Sequence, residues 1–155
     1  MTDDWRLDRV GSAVRGENPS VLARLDSGFA VIGDTQFLPG YSLLLSTTPG
    51  AERITDLPRS ERLAFLADVD LLAVAVHRAC EQSDPEFRRV NIEILGNTDA
   101  YLHAHIWPRY TWEAPEYIGN PVWLYPRECW SDPQYAIGSS HDSLRQLIVR
   151  ELGRA

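Results

Sequence analysis

Residues 90–109 read VNIEILGNTDAYLHAHIWPR, and the spacing within this stretch decides how the rest of the chain is read. Two runs rich in strand-forming residues flank Gly96-Asn97, a dipeptide suited to a turn. In the second run Tyr101, His103, His105 and Trp107 stand at alternate positions, and alternate side chains of a strand point to one face. Leu102, Ala104 and Ile106 take the other face and are apolar. In the first run Val90, Ile92 and Ile94 alternate in the same way with Asn91 and Glu93. Paired as a hairpin, the two runs give one face that belongs to a core and one that gathers Asn91, Glu93, Tyr101, His103 and His105.

Working outward, residues 20–26 and 29–33 read as two strands joined at Ser27-Gly28, and residues 41–46 as a third, largely buried strand after Pro39-Gly40. Residues 4–15 alternate acids, Arg and apolar groups and predict a short leading helix, ended by Gly16 and Pro19. Pro58 suits a first helical turn. From it Leu63, Leu66, Val69, Leu72, Ala73, Val76 and Cys80 follow the rhythm of one long amphipathic helix ending near Glu81. Residues 140–152 predict a closing helix with Ser140 as N-cap. Between 110 and 139 lie Trp112, Trp123, Trp130, Tyr117, Tyr125 and Tyr135 with four prolines. Disordered linkers lack aromatics at that density, so this segment is expected to pack irregularly over the sheet, near the site or a partner subunit. The expectation is one α+β domain over residues 1–155. It has a core over about 20–109, an antiparallel sheet of about five strands, one long helix packed on it, and helices at both ends.

Composition narrows the function classes. The formal charge is −7, which argues against binding nucleic-acid backbones, because such proteins gather basic residues against phosphates. All fifteen basic residues are Arg, which excludes Schiff-base chemistry and a phosphate-loop lysine. There is no run of apolar residues long enough to span a bilayer and no signal-peptide layout, so a cytoplasmic protein without membrane partners is expected. Cys80 and Cys129 are far apart and have no paired-cysteine spacing, as suits a reducing compartment.

Two imidazoles two residues apart on a strand fit nucleophilic or acid–base chemistry, a metal site, or a polar surface. The metal reading needs further ligands, and Glu93, His141 and His77 are the candidates. His77 beside the apolar helix stripe reads better as a packed histidine, and His141 as an exposed one. No metal and no cofactor is therefore expected. Gly96-Asn97-Thr98 presents consecutive backbone N–H groups that can cradle an anion without a fixed positive charge, although the same residues also make an ordinary turn.

Gly96-Asn97-Thr98 followed by Tyr101-Leu-His103-Ala-His105-Ile-Trp-Pro108-Arg109 resembles the signature of the histidine triad (HIT) superfamily, and Leu38-Pro39-Gly40-Tyr41 and the long helix match its layout. The resemblance covers roughly residues 20–109. It departs from the family at the first of the three alternate histidines, where Tyr101 stands; anchoring on Gly96 and Pro108-Arg109 makes His103 central and His105 third. The resemblance implies a HIT-like fold and a nucleotidyl hydrolase of the diadenosine polyphosphate hydrolase kind. It acts on the α-phosphate of a dinucleoside polyphosphate or an adenylated small molecule through a covalent nucleotidyl-histidine. His103 would be the nucleophile, and His105 would contact the phosphoryl group. Asn91, Asn97 and Thr98 would bind its oxygens, Tyr101 would donate one hydrogen bond, and Asp34 would bind ribose. Phe29 and the late tryptophans are candidates for walls around the base. Transferase relatives carry Gln at the third position, so His105 favours hydrolysis. A phosphorylase and a non-catalytic nucleotide-binding module are the alternatives. The family's habit implies a homodimer.

Overall fold

The computed structural model describes residues 4–154. Five strands form one antiparallel sheet in the order β1-β2-β3-β5-β4: β1 Val21–Arg24, β2 Gly28–Ile32, β3 Ser42–Ser46, β4 Phe87–Glu93 and β5 His103–Tyr110. The helices are α1 Arg9–Val14, α2 Arg59–Ser83, a single turn α3 Glu128–Ser131, and α4 Asp142–Leu152. This is the α+β architecture expected, and its sheet has two unlike faces.

Alternation builds the inner face. Ala30, Ile32, Leu44, Ala104 and Ile106 point one way and meet Phe65, Val69, Leu72, Val76 and Cys80 of α2 and Ile148 and Leu152 of α4. Each large side chain buried there contributes on the order of 2 kcal/mol. Asp68 of α2 accepts the backbone N–H and the hydroxyl of Ser27, both at 2.6 Å, pinning the helix to the β1–β2 turn. The buried stripe of α2 differs from the expected one in two places, since Leu63 and Leu66 are exposed and Phe65, Asp68 and Ala79 are buried instead. Pro58 is the N-cap with extended backbone, one residue before the first helical position. Among the described residues no helix is long and apolar enough to cross a membrane.

The hairpin is the main departure. β5 begins at His103 and pairs with β4 in the register Glu93↔His105, Ile92↔Ile106, Asn91↔Trp107. This keeps the predicted faces but leaves residues 94–102 as a loop, so Tyr101 lies outside the strand. The cause is a long-range contact: Leu102 donates to the Ala51 carbonyl and accepts from the Ser46 N–H, so the chain bonds away from β4 before the strand starts. β4 is an edge strand, and Ile92 on its core side is 47% exposed. Ser140 does not cap α4. It sits inside a short turn, Ser139–His141, and His141 occupies the N-cap position.

Candidate active site

The outer face of β5 carries His103, His105, Trp107 and Arg109 in sequence, all nearly fully buried. β3 lies beside it, with Leu45 opposite His103 and Leu43 opposite His105. His103, His105, Leu43 and Leu45 floor a cleft of about 690 Å³. Its walls come from four places: Arg9 of α1, Asp34 just after β2, the 95–101 loop, and Trp123 and Trp130 of the aromatic segment.

His103 has one ring nitrogen committed. Its Nδ1 lies 2.8 Å from the Tyr101 carbonyl oxygen, and because a carbonyl only accepts, Nδ1 must carry the proton. Neutral imidazole then holds its lone pair on Nε2, which has no protein partner among the described residues. The neighbouring His105 ring lies 4.8 Å away at 74°.

Burial, and then the neighbouring His103, depress the His105 pKa to about 4, so it is neutral near pH 7. Its Nδ1 lies 2.8 Å from the Tyr41 hydroxyl. Burial holds the Tyr41 phenol well above its ordinary value, so the hydroxyl keeps its proton. With no other acceptor for that proton among the described residues, Tyr41 donates to Nδ1, which leaves an N–H on the Nε2 of His105. The site thus holds a lone pair at residue 103 and a fixed donor at residue 105.

Tyr41 is itself strongly positioned. Its ring stacks on Trp107 with centroids 3.5 Å apart and planes within 2°. The turn before it needs Gly40, whose φ is +95° and where a Cβ would stand 2.5 Å from Cys80 Sγ. Gln36 braces the turn, accepting the Gly40 N–H and donating to the Gly33 and Tyr41 carbonyls.

Tyr101 is half-buried at the rim, 4.9 Å from the His103 ring. Burial and the nearby Asp99 carboxylate push its phenol up to about 12, so it can donate a hydrogen bond but does not exchange protons near neutrality. Asn97 and Thr98 line the cleft from the exposed loop. Asp34 also lines it, with its carboxylate gripped by Arg9, one of the two bonds measuring 3.1 Å. Asn91 is not among the lining residues: on the outer face it stands opposite Trp107, two positions along β4 from the partner of His105, so it is not brought to the phosphate position assigned to it. Phe29 packs beneath α1 with Ala13, Val31 and Leu45 and forms no wall of the cleft. His77 packs edge-on against Phe87, and His141 is half-buried, its Nδ1 taking the Gly138 N–H. No group of three or more His, Cys, Asp or Glu is placed to hold a metal among the described residues.

Sequence reading missed Tyr41 and Arg9 as parts of this site. Tyr41 had a signal, since it extends the alternation Tyr41, Leu43, Leu45 on one face of β3. Arg9 had none, because its approach to Asp34 spans 25 residues.

No protein-family model matches the chain, and no curated protein does. Solved structures do match. A histidine triad protein from Sinorhizobium meliloti is 18% identical, with a TM-score of 0.69 over 97% of this chain and 96% of that one. A hypothetical histidine triad nucleotide-binding protein from Sulfolobus tokodaii is 14% identical, with a TM-score of 0.67 over 94% and 92%. A histidine triad protein from Marinobacter aquaeolei is 19% identical, with a TM-score of 0.63 over 86% and 88%. This chain has the fold of the histidine triad proteins.

Proposed function

We propose that the chain is a histidine triad hydrolase that releases a nucleoside monophosphate from a dinucleoside polyphosphate or an adenylated small molecule. The observation that carries this is the His103 ring, its Nδ1 tied to the Tyr101 carbonyl and its Nε2 free in the floor of the cleft. Nε2 attacks the α-phosphorus, an N–P bond forms, and the leaving group departs with the electron pair of its own bond to phosphorus. Water then adds its oxygen to the phosphorus of the nucleotidyl-imidazole and gives a proton to solvent, and the pair of the N–P bond returns to Nε2. His105 donates from Nε2 to the phosphoryl or leaving oxygen. Being neutral, it acts as a hydrogen-bond donor and not as an acid, so the leaving group takes its proton from solvent. Asn97 and Thr98 supply further donors to the nonbridging oxygens. Asp34 accepts from ribose while Arg9 fixes its carboxylate. A homodimer is part of the proposal: β4 is a free sheet edge, with Ile92 exposed on it and Leu63 and Leu66 exposed on α2.

The test is AMP release from diadenosine polyphosphates and from AMP-morpholidate, with a nucleotide adduct sought by intact mass. His103→Asn is expected to abolish both, and added phosphate is expected to give no ADP. Release of ADP would point to a phosphorylase. A second reading, nucleotide binding without turnover, is favoured by Tyr101 at the first position. It predicts a thermal shift with AMP and neither product nor adduct.

A further inference from the structure

At the Asp34 end of the cleft two arginines converge on one carboxylate. The backbone of Asp34 is fixed from behind, since its carbonyl accepts the Ile137 N–H at 2.8 Å and Thr35 pairs with Ala136 in a short bridge. In front, the two terminal nitrogens of Arg9 donate to the two carboxylate oxygens, one of them at 3.1 Å. Arg6 Nε stands 3.6 Å from Asp34 Oδ2. Both guanidinium groups lie over the Trp5 ring, at 4.5 Å for Arg6 and 5.2 Å for Arg9. The Arg9 carbonyl accepts the Asn18 side-chain amide at 3.0 Å, which ties α1 to the body beside β1.

Lone pairs and charges decide what this arrangement accepts. A carboxylate offers about four acceptor positions, and the Arg9 fork uses one on each oxygen. Positions therefore remain for the two hydroxyls of a ribose diol, which are donors. A phosphate on the 2′ or 3′ oxygen brings acceptors instead, with a charge of about −1.5 to −2 at pH 7. It would face the Asp34 carboxylate, with Asp99 and Asp132 lining the same cleft. The cations that could answer it are already engaged: Arg9 by Asp34, and Arg6 by Asp34 and by Asp4 at 3.3 Å. Like charges in a partly buried site repel more strongly than in water.

Resting on the hydrolase reading above, which puts ribose at Asp34, we infer that the Asp34, Arg9 and Arg6 cluster rejects nucleotides phosphorylated on the ribose. Asp34 is the specificity-determining residue, and Arg9 and Arg6 are positioning residues that hold its carboxylate. The substrate class is then a 5′-nucleotidyl compound with open 2′ and 3′ hydroxyls. A nucleotide continued through its 3′ oxygen into a nucleic-acid strand is turned away, and so is an adenylyl group bearing a 3′-phosphate. The same geometry predicts a reversal. With the carboxylate charge removed, Arg9 has no other carboxylate partner among the described residues, and its planar fork suits a phosphate.

Three substrates test this: AMP-morpholidate, its 3′-phosphate and its 3′-O-methyl ether. The open diol is expected to exceed the 3′-phosphate in kcat/KM by about tenfold or more, the scale of one like-charge contact at partial burial. The gap narrows as salt screens the repulsion, and the ether is turned over faster than the 3′-phosphate. Asp34→Asn slows the open diol and speeds the 3′-phosphate, bringing their ratio to one or below. Adding Arg9→Ala to Asp34→Asn removes the gain on the 3′-phosphate, and adding Arg9→Lys keeps part of it. Equal kcat/KM for diol and 3′-phosphate in the unaltered protein overturns the inference and leaves the hydrolase reading intact. So does an ether as slow as the 3′-phosphate, or a gap indifferent to salt, since either assigns the exclusion to bulk. An Asp34→Asn variant that slows the 3′-phosphate as much as the diol overturns it too. No AMP from AMP-morpholidate overturns the hydrolase reading itself.

Discussion

Tyr41→Phe isolates one oxygen atom. The ring keeps its stack on Trp107, so packing is preserved, and what disappears is the 2.8 Å hydrogen bond to His105 Nδ1. His105 is only 6% exposed, so water does not readily replace the lost donor. The stability cost is therefore that of leaving a buried acceptor unpaired, about 1–2 kcal/mol. The kinetic effect follows from the same bond. The hydroxyl holds the His105 proton on Nε2, where it meets charge developing on the phosphoryl group; without it both tautomers are open and the donor is less polarised. Losing about 1.4 kcal/mol of that stabilisation lowers kcat about tenfold, with KM changed little because the contact strengthens only in the transition state. Urea denaturation and steady-state AMP release from AMP-morpholidate measure the two effects. An unchanged unfolding midpoint would mean that the hydrogen bond is not formed in solution. Normal kcat with reduced stability would confine Tyr41 to packing.

Three further outcomes are expected. Stability should fall as pH drops from about 6.5 toward 4, because His105 titrates at about 4 when folded and near 6.5 when unfolded, so the unfolded chain binds the extra proton in that window. The full effect is up to roughly 3 kcal/mol, read from denaturation midpoints across pH and removed by His105→Asn. Glu113→Gln leaves the buried Arg109 guanidinium without its counter-charge and should cost about 3–5 kcal/mol by urea unfolding. Asp34→Asn removes the charge that Arg9 grips and should raise KM for AMP-morpholidate several-fold while kcat stays near its original value; an unchanged KM would detach Asp34 from ribose.

The period-two pattern disclosed the faces of β4 and β5 because strand alternation is a property of a few consecutive residues. Cross-strand register is not such a property. The hairpin reading brings Glu93 and His105 to one face without fixing which residues stand opposite each other, and that Trp107 would meet Tyr41 depends on β3 being the other neighbour of β5, which no local pattern fixes. The same limit explains Asn91. Alternation gives it the correct face, but its place along the strand, opposite Trp107 and not beside the histidines, follows from the cross-strand register. Leu63 and Leu66 misled for another reason. Leucines at helical spacing suggest the stripe, whereas the buried side of α2 includes small residues such as Ala75 and Ala79. The alternation that includes Tyr101 continues past the strand's end; the turn of the backbone at Leu102 is made by bonds to Ala51 and Ser46, far upstream.

Arg109 links the floor of the site to its wall. It lies on the same face of β5 as the two histidines, and its side chain is spent wholly on the segment that follows. It donates to both oxygens of Glu113 and to the carbonyls of Tyr117, Ile118 and Asn120. Glu113 in turn accepts the Tyr110 N–H and the Tyr125 hydroxyl. A buried ion pair adds little net stability once desolvation is counted, but when all its donors are met it permits few geometries. One strand therefore carries both the imidazoles and the anchor of the segment bearing Trp123 and Trp130. Loosening that anchor without removing its charge, as in Arg109→Lys, should move the tryptophan wall relative to His105. The five-donor fork cannot be reproduced by an ammonium group, so kcat/KM for AMP-morpholidate should fall several-fold at temperatures where the variant is still fully folded. Activity that falls only as the protein unfolds would mean that the anchor serves folding alone.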